Sequence, residues 1–224
     1  MILTINSKIL TVGTKWLTND LPQIPANTIR LKYKAGTVPT TYKRASKVCI
    51  DEQNNIWDVT YNDSNWNWLF IQNVGVSNDN LLEVLGGNTS NVTDMAFLFR
   101  NATSLVKVAA FDTSNVGNMQ QMFGYCSALT QVPVFNTVNA TNMSAMFTEC
   151  YSLKAVPLFN TSKVTTMWCT FWNCPNVESG ALALYQQASS QAIPPSDHHA
   201  TFRSCGSNTV TGAAELAQIP DDWK

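Results

Sequence analysis

The chain has 224 residues, a formal net charge of −1 at pH 7, and charged side chains at only 13% of its positions. This length allows one or two domains, and the near-neutral charge argues against a nucleic-acid-binding protein, which needs a sustained basic surface. No run of residues approaches the ~20 apolar positions of a membrane-spanning helix. Residues 1–6 lack the basic segment and apolar run of a signal peptide, which favours assembly in the cytoplasm.

The charges are unevenly placed along the chain. Residues 1–50 contain eight Lys and Arg against one acidic residue, a balance of +7, whereas residues 51–224 contain six against fourteen, a balance of −8. This asymmetry suggests an acidic neighbour near the N-terminal segment. The alternative is that the basic side chains form only the solvated face of a strand.

Residues 1–78 predict a small antiparallel β domain. Two apolar runs, 2–5 and 9–12, flank a short polar turn and predict a hairpin. A second hairpin is predicted over 47–50 and 56–60. We expect this domain to be a cap or attachment unit at one end of the remaining chain, residues 79–224.

Apolar and basic residues alternate between these two hairpins. Arg30, Lys32 and Lys34 are separated by single apolar residues, as in a half-buried strand with a basic outer face. These three side chains are therefore candidates for an interaction surface.

Residues 81–177 contain one pattern four times, at a constant spacing of 24 residues. The spacing is kept by four phenylalanines and four methionines: Phe99, Phe123, Phe147, Phe171, Met95, Met119, Met143 and Met167. A constant period in this range predicts a stacked array of repeats. A single copy is too short to bury its own apolar face, so stacking would create the core.

Each unit predicts a short helix followed by a short strand. From Val116 to Phe123 the apolar side chains follow a helical spacing, and Gly124 suits the end of that helix. Val132 and Val134 then alternate as in a strand.

The period is interrupted after Val177. Phe202 follows Phe171 by 31 residues rather than 24, and the seven additional residues fall in a predicted inserted helix over about 179–196. Residues 198–224 predict a helical C-terminal cap that is closed by Trp223.

The repeated motif also resembles a known family. Residues 112–116, with the sequence Asp-Thr-Ser-Asn-Val, together with Met119, Phe123, Cys126 and Leu129, resemble the BspA-like leucine-rich repeat. The resemblance implies an α+β fold over residues 79–224, a short leucine-rich-repeat solenoid with one helix and one strand per 24-residue unit. It also implies a surface protein of anaerobic bacteria, or a structural protein of phages and prophages of gut bacteria.

The cysteines and histidines do not predict a metal or catalytic site. Cys126, Cys150 and Cys174 keep the 24-residue spacing, as small buried side chains would, and the sequence contains no Cys-x-x-Cys pair. His198 and His199 are the only histidines, and neither lies in a recognisable catalytic motif. We expect no cofactor, no metal and no enzymatic activity.

We therefore expect a non-enzymatic protein-interaction or structural module. The preferred role is a phage or prophage virion component with a host-contact, fibre or decoration function, and the alternative is a bacterial cell-surface adhesin that binds a host or matrix protein. The expected partner is a protein, either a virion neighbour or a host surface protein. A glycan is a further candidate, an oligomer is allowed, and neither nucleic acid nor membrane insertion is expected.

The candidate interaction surface combines the basic strand with exposed positions of the repeats. Its residues are Lys107, Gln131, Lys154, Tyr125, Tyr151, Arg30, Lys32 and Lys34. Trp168 and Trp172 have two interpretations, because they either project from the repeats or pack beneath the inserted helix.

Overall fold

The computed structural model describes residues 2–5, 8–11, 21–39, 45–61, 64, 66 and 79–224. Strands β1 (Ile2–Ile5) and β2 (Lys8–Thr11) pair antiparallel and form the first predicted hairpin. The remaining strands are β3 (Thr28–Tyr33), β4 (Ala45–Asp51), β5 (Ile56–Tyr61), β6 (Leu81–Asn88) and β7 (Lys107–Val108). The antiparallel pairing of β4 with β5 confirms the second hairpin.

The last five strands form one mixed sheet in the spatial order β4-β5-β3-β6-β7. All its pairings are antiparallel except that of β6 with β7, which is parallel. Because β3 lies between β5 and β6, strands from both sides of residue 78 belong to the same sheet.

The predicted fold class is wrong. Within the described part of the chain, the structure has this mixed sheet, the β1–β2 hairpin and two short α-helices, α1 (Ala181–Ser189) and α2 (Val210–Leu216). It is not a leucine-rich-repeat solenoid with a helix in every unit and a helical C-terminal cap. Residues 89–177 contain turns, the two-residue strand β7 and single β-bridges, but no α-helix. The predicted inserted helix is also shorter than expected, since α1 covers nine residues.

Left-handed residues explain why the repeated units are not helical. Each unit contains two non-glycine residues of positive φ that lie four positions apart, such as Phe97 at 64° and Asn101 at 60°. A residue in this conformation interrupts a right-handed helix and costs roughly 1–2 kcal/mol. The sequence predicted such a residue at Gly124, but the structure places it at Tyr125, where φ is 66°.

Hydrogen bonds between consecutive units replace the missing helical ones. Alternate amides donate to the next unit: Phe99 N to Met122 O at 2.8 Å, Phe123 N to Met146 O at 2.9 Å, and Phe147 N to Thr170 O at 2.8 Å. The amides between them donate to a carbonyl three residues back, as Arg100 N does to Phe97 O. Each unit is therefore one layer, and we call residues 89–202 the layered segment.

A row of phenylalanine rings forms the centre of the layered segment. Successive rings lie 5.2–6.0 Å apart, with interplanar angles of 1–23°. The rings belong to Phe99, Phe123, Phe147, Phe171 and Phe202, all fully buried. Trp223, in the 3-10 turn η1 (Asp221–Trp223), stacks on Phe202 at 6.3 Å and ends the row. The period in the sequence thus specifies how layers stack, although it does not specify helices.

Buried threonines and cysteines join the layers on either side of this row. Thr113 Oγ1 donates to Asn136 O at 2.9 Å, and Thr137 Oγ1 donates to Asn160 O at 2.7 Å. The Cys150 thiol similarly donates to Phe123 O at 3.2 Å. The threonine and cysteine side chains are themselves buried, so these bonds satisfy hydroxyl and thiol groups that would otherwise lack a partner.

The predicted division of the chain between residues 78 and 79 stays a prediction, since residues 67–78 lie outside the described residues. Among the helices that the structure does describe, none has the length and apolar character needed to cross a membrane.

Candidate interaction surfaces

Each layer exposes residues on two separate stretches of its backbone. The strand side comprises residues 105–110, 129–134 and 153–158, which begin with a buried leucine at 105, 129 and 153. The turn side comprises residues 94–101, 118–125, 142–149 and 166–173, which contain the left-handed positions. Residues 24 apart in sequence hold equivalent places in adjacent layers, as the bridges Lys107–Gln131 and Asn118–Asn142 show.

The structure brings three predicted residues together on the strand side. Lys107 and Gln131 are exposed and form a parallel β-bridge, so their side chains occupy one column. Lys154 lies in the neighbouring column, where its amide donates to Thr130 O at 3.0 Å. Its ammonium group forms an exposed ion pair with Glu178 at 3.2 Å, which contributes little stability because solvent screens it.

The strand side also carries an apolar column that the sequence pattern did not predict. Val134 and Leu158 are 67% and 53% exposed, and Ala110 occupies the equivalent place in the preceding layer. Half-buried Pro133 and Pro157 lie directly beside them. The alternation of Val132 and Val134 predicted a strand, but in the structure this stretch has only a single β-bridge, at Gln131. The signal that could have located the column is the proline itself, which removes a ladder donor.

Backbone donors accompany this apolar column. Among the described residues, the amides of Val134 and Leu158 have no hydrogen-bond acceptor. The layers of Val134 and Leu158 therefore each present one large apolar side chain and one N–H group without an acceptor at the same position.

Of the two predicted tyrosines, Tyr125 lies on the turn side, and Tyr151 lies two residues beyond the turn-side stretch 142–149, in a different column. The guanidinium group of Arg100 lies over the Tyr125 ring, 5.2 Å from the ring centroid, in a cation–π contact. Tyr151 is exposed and its hydroxyl donates to Glu149 Oε2 at 2.6 Å. This hydrogen bond raises the pKa of Tyr151. Glu149 holds the place of Tyr125 in the next layer.

The three basic residues of β3 do not form one outer face. Arg30 is 4% exposed and binds Asp58 of β5 through two hydrogen bonds, at 2.7 Å and 2.8 Å. Lys32 pairs with Glu83 of β6 at 2.9 Å, and Lys34 is exposed. Sequence alternation placed Arg30 outward, but β3 is a central strand, so Arg30 is covered and its charge is paired within the sheet.

The cysteines of the repeats and His198 are occupied by packing. Burial raises the pKa of the Cys126, Cys150 and Cys174 thiols, the last to about 12, which keeps them protonated. The His198 ring stacks on Trp223 at 4.3 Å, and its Nδ1 lies 2.9 Å from Pro195 O. In the part of the chain that the structure describes, no group of three or more His, Cys, Asp or Glu is placed to hold a metal ion.

Comparison with protein families gives one match. A family model described as "Mycoplasma protein of unknown function, DUF285" matches residues 64–183, which are 120 of the 224 residues. The chain belongs to this family. The match covers most of the layered segment, so the DUF285 pattern and the 24-residue period describe largely the same residues.

This assignment corrects the resemblance drawn from the motif. The DUF285 family is described by its occurrence in Mycoplasma and not as a family of leucine-rich repeats. The Asp-Thr-Ser-Asn-Val motif lies in a turn and not at the start of a helix, which is the physical reason why the motif misled. The comparison with curated proteins found no match, and the comparison with solved structures found none.

Proposed function

We propose that this DUF285 protein is a non-enzymatic interaction or structural module that binds a protein partner through its strand side. The observation that carries the proposal is the exposed apolar column of Ala110, Val134 and Leu158. Isolated exposed apolar residues need no explanation. Here they recur at the same place in successive layers, with prolines beside them, so they form one continuous strip.

The strip has the chemical features of a protein-binding surface. Burying a Val or Leu side chain that is otherwise exposed contributes about 1.5–3 kcal/mol. Val134 and Leu158 supply two such groups, and the polar side chains of Lys107 and Gln131 lie at its border. An apolar centre within a polar rim is the usual composition of a protein interface.

The backbone donors favour an extended partner segment. The amides of Val134 and Leu158, which lack acceptors among the described residues, can each donate to a carbonyl of the bound chain. Interlayer hydrogen bonds such as Lys154 N to Thr130 O hold the backbone near these two amides in place. Binding therefore costs little ordering of the protein itself, which favours affinity.

Two biological settings fit this module. The first is a virion component of a phage or prophage, where the partner is a neighbouring virion protein or a host surface protein. The second is a cell-surface adhesin, where the partner is a host or matrix protein. Immunoblotting of purified phage particles and of washed cells from the source bacterium separates them, because a virion component is enriched in the particles.

The binding surface is tested by charge introduction. The double variant Val134→Asp, Leu158→Asp should reduce association with the particle or cell fraction more than tenfold, since two apolar contacts are replaced by buried charges. Ile193→Asp is the matched control, because Ile193 is 83% exposed and lies outside the strand side. Equal losses for the double variant and the control would refute the proposal, as would full association of the double variant.

A further inference from the structure

Two tryptophans interrupt the pattern of the turn side. The column that contains Trp168 otherwise holds Ala96, Gln120 and Ser144, and the column that contains Trp172 otherwise holds Arg100, Gly124 and Thr148. Layer stacking explains the apolar residues of the core, but it does not require an indole at either position. Both tryptophans fall in the same layer, four residues apart.

Trp168 is not part of the core. Its side chain is 44% exposed, and thus it is not packed beneath α1. Trp172 is half-buried and packs on a small cluster formed by Ala145, Cys169 and Ala200, which is separate from the main core. Within the described residues, neither indole N–H group has a hydrogen-bond acceptor, whereas Trp57 Nε1 donates to Asn55 at 2.8 Å. The two rings therefore offer apolar faces and unused donors.

The backbone that carries the two rings is fixed from both neighbouring layers. Ala145 N donates to Trp168 O at 2.7 Å, and Glu149 N donates to Trp172 O at 2.8 Å. Cys169 N, between the two tryptophans, donates to His199 O in the following layer at 3.1 Å. A ligand thus meets a preformed surface instead of ordering a mobile loop.

Polar groups of both charges surround the rings. The following layer places His199 after Trp168 and Arg203 after Trp172, and both residues are exposed. Asp197 is also exposed and accepts a hydrogen bond from Thr166 Oγ1 at 3.2 Å. The preceding layer presents the small buried residues Ser144 and Thr148 at the aligned positions. The layer before the tryptophans therefore carries small side chains at the aligned positions. The layer after them carries hydrogen-bond donors and acceptors.

We infer that Trp168 and Trp172 form a binding site for a neutral carbohydrate. The C–H face of a pyranose ring is flat and carries partial positive charge, which matches the negative face of an exposed indole. Sugar hydroxyl groups both donate and accept hydrogen bonds, so they can use the indole N–H groups together with His199, Arg203 and Asp197. One acid and one arginine at the border cancel in charge, which favours an uncharged ligand over an anionic or cationic one.

The site extends along the stack by at least one layer. The Phe171 and Phe202 rings, which are buried in the same two layers, lie 6.0 Å apart. When one sugar residue of an oligosaccharide stacks on Trp168, the next sugar residue would therefore lie over the layer of His199 and Arg203. This arrangement predicts a preference for linear oligosaccharides over monosaccharides.

The test is isothermal titration of the full chain with two neutral hexasaccharides, cellohexaose and hexa-N-acetylchitohexaose, with glucose as the monosaccharide reference. We expect a hexasaccharide to bind, glucose to bind more weakly, and Trp168→Ala to weaken binding about tenfold or more, the equivalent of one lost aromatic contact. Trp168→Phe keeps a ring and should recover part of the affinity. Thermal unfolding of Trp168→Ala should stay close to that of the unsubstituted protein, because Trp168 lies outside the core.

Absence of binding heat with both hexasaccharides would overturn the inference, and so would unchanged binding by Trp168→Ala. The site is independent of the strand side, and the variants distinguish the two. Val134→Asp, Leu158→Asp should retain oligosaccharide binding, and Trp168→Ala should retain association of the protein with its particle or cell fraction. Loss of that association by Trp168→Ala, without oligosaccharide binding, would reassign the tryptophans to a protein partner and overturn the carbohydrate site.

Discussion

Replacing Phe147 by alanine should strongly destabilise the protein, because this residue lies within the phenylalanine row and contacts three other rings. Its ring is fully buried and stacks on Phe123 at 5.4 Å, on Phe171 at 5.2 Å and on Phe159 at 6.0 Å. Truncation of a buried phenylalanine costs about 3–5 kcal/mol. We expect the upper end of this range, because three ring contacts are lost and interlayer hydrogen bonds prevent the layers from collapsing into the cavity.

The measurement is unfolding in guanidinium chloride, followed by circular dichroism. A loss of about 5 kcal/mol is a large part of the ~5–15 kcal/mol that stabilises a typical protein, so Phe147→Ala could prevent folding altogether. Phe147→Leu removes less of the side chain and serves as a milder second variant. Val210→Ala is the matched control, because Val210 is 90% exposed and its substitution should change stability by less than about 0.5 kcal/mol. A loss below about 1 kcal/mol for Phe147→Ala would show that the row is not a continuous core.

Substitutions at three other positions address the polar contacts and the backbone. Asp58→Ala leaves the charge of Arg30 buried and should cost about 3–5 kcal/mol in the same unfolding assay. Thr137→Val removes the donor to Asn160 O and should cost about 1–3 kcal/mol, whereas Thr137→Ser should retain most of the stability. Ser204→Gly, at an exposed residue with φ of 59°, should raise stability by about 1 kcal/mol and raise the melting temperature; a decrease would contradict the strain assigned to that position.

The sequence predicts stacking well because stacking depends on a period. Phe123 and Phe147 lie 24 residues apart and occupy adjacent layers, as a constant spacing requires. The conformation within a layer was mispredicted, because apolar residues at helical spacing also occur in successive tight turns. The deciding feature is the left-handed backbone at Phe97 and Tyr125, and neither residue type signals this conformation.

The candidate surfaces could be predicted only where contacts are local or periodic. Lys107 and Gln131 lie in one column because they are one period apart. Arg30 was predicted to face solvent, but its partner Asp58 lies on another strand. The alternation of apolar and basic residues along one strand does not reveal which strands lie beside it. The exposure of Val134 depends on where the short strand ends, which a valine at alternating spacing does not reveal.

The uniform bonding between layers has a consequence for how such chains can vary in length. Each internal layer receives and donates the same hydrogen bonds, as Phe123 N to Met146 O and Phe147 N to Thr170 O illustrate. Gain or loss of one whole 24-residue unit therefore leaves the faces that meet the N-terminal sheet and Trp223 unchanged. Related chains can in this way lengthen or shorten their exposed strand and turn sides by one layer at a time, while the residues at both ends of the stack stay the same.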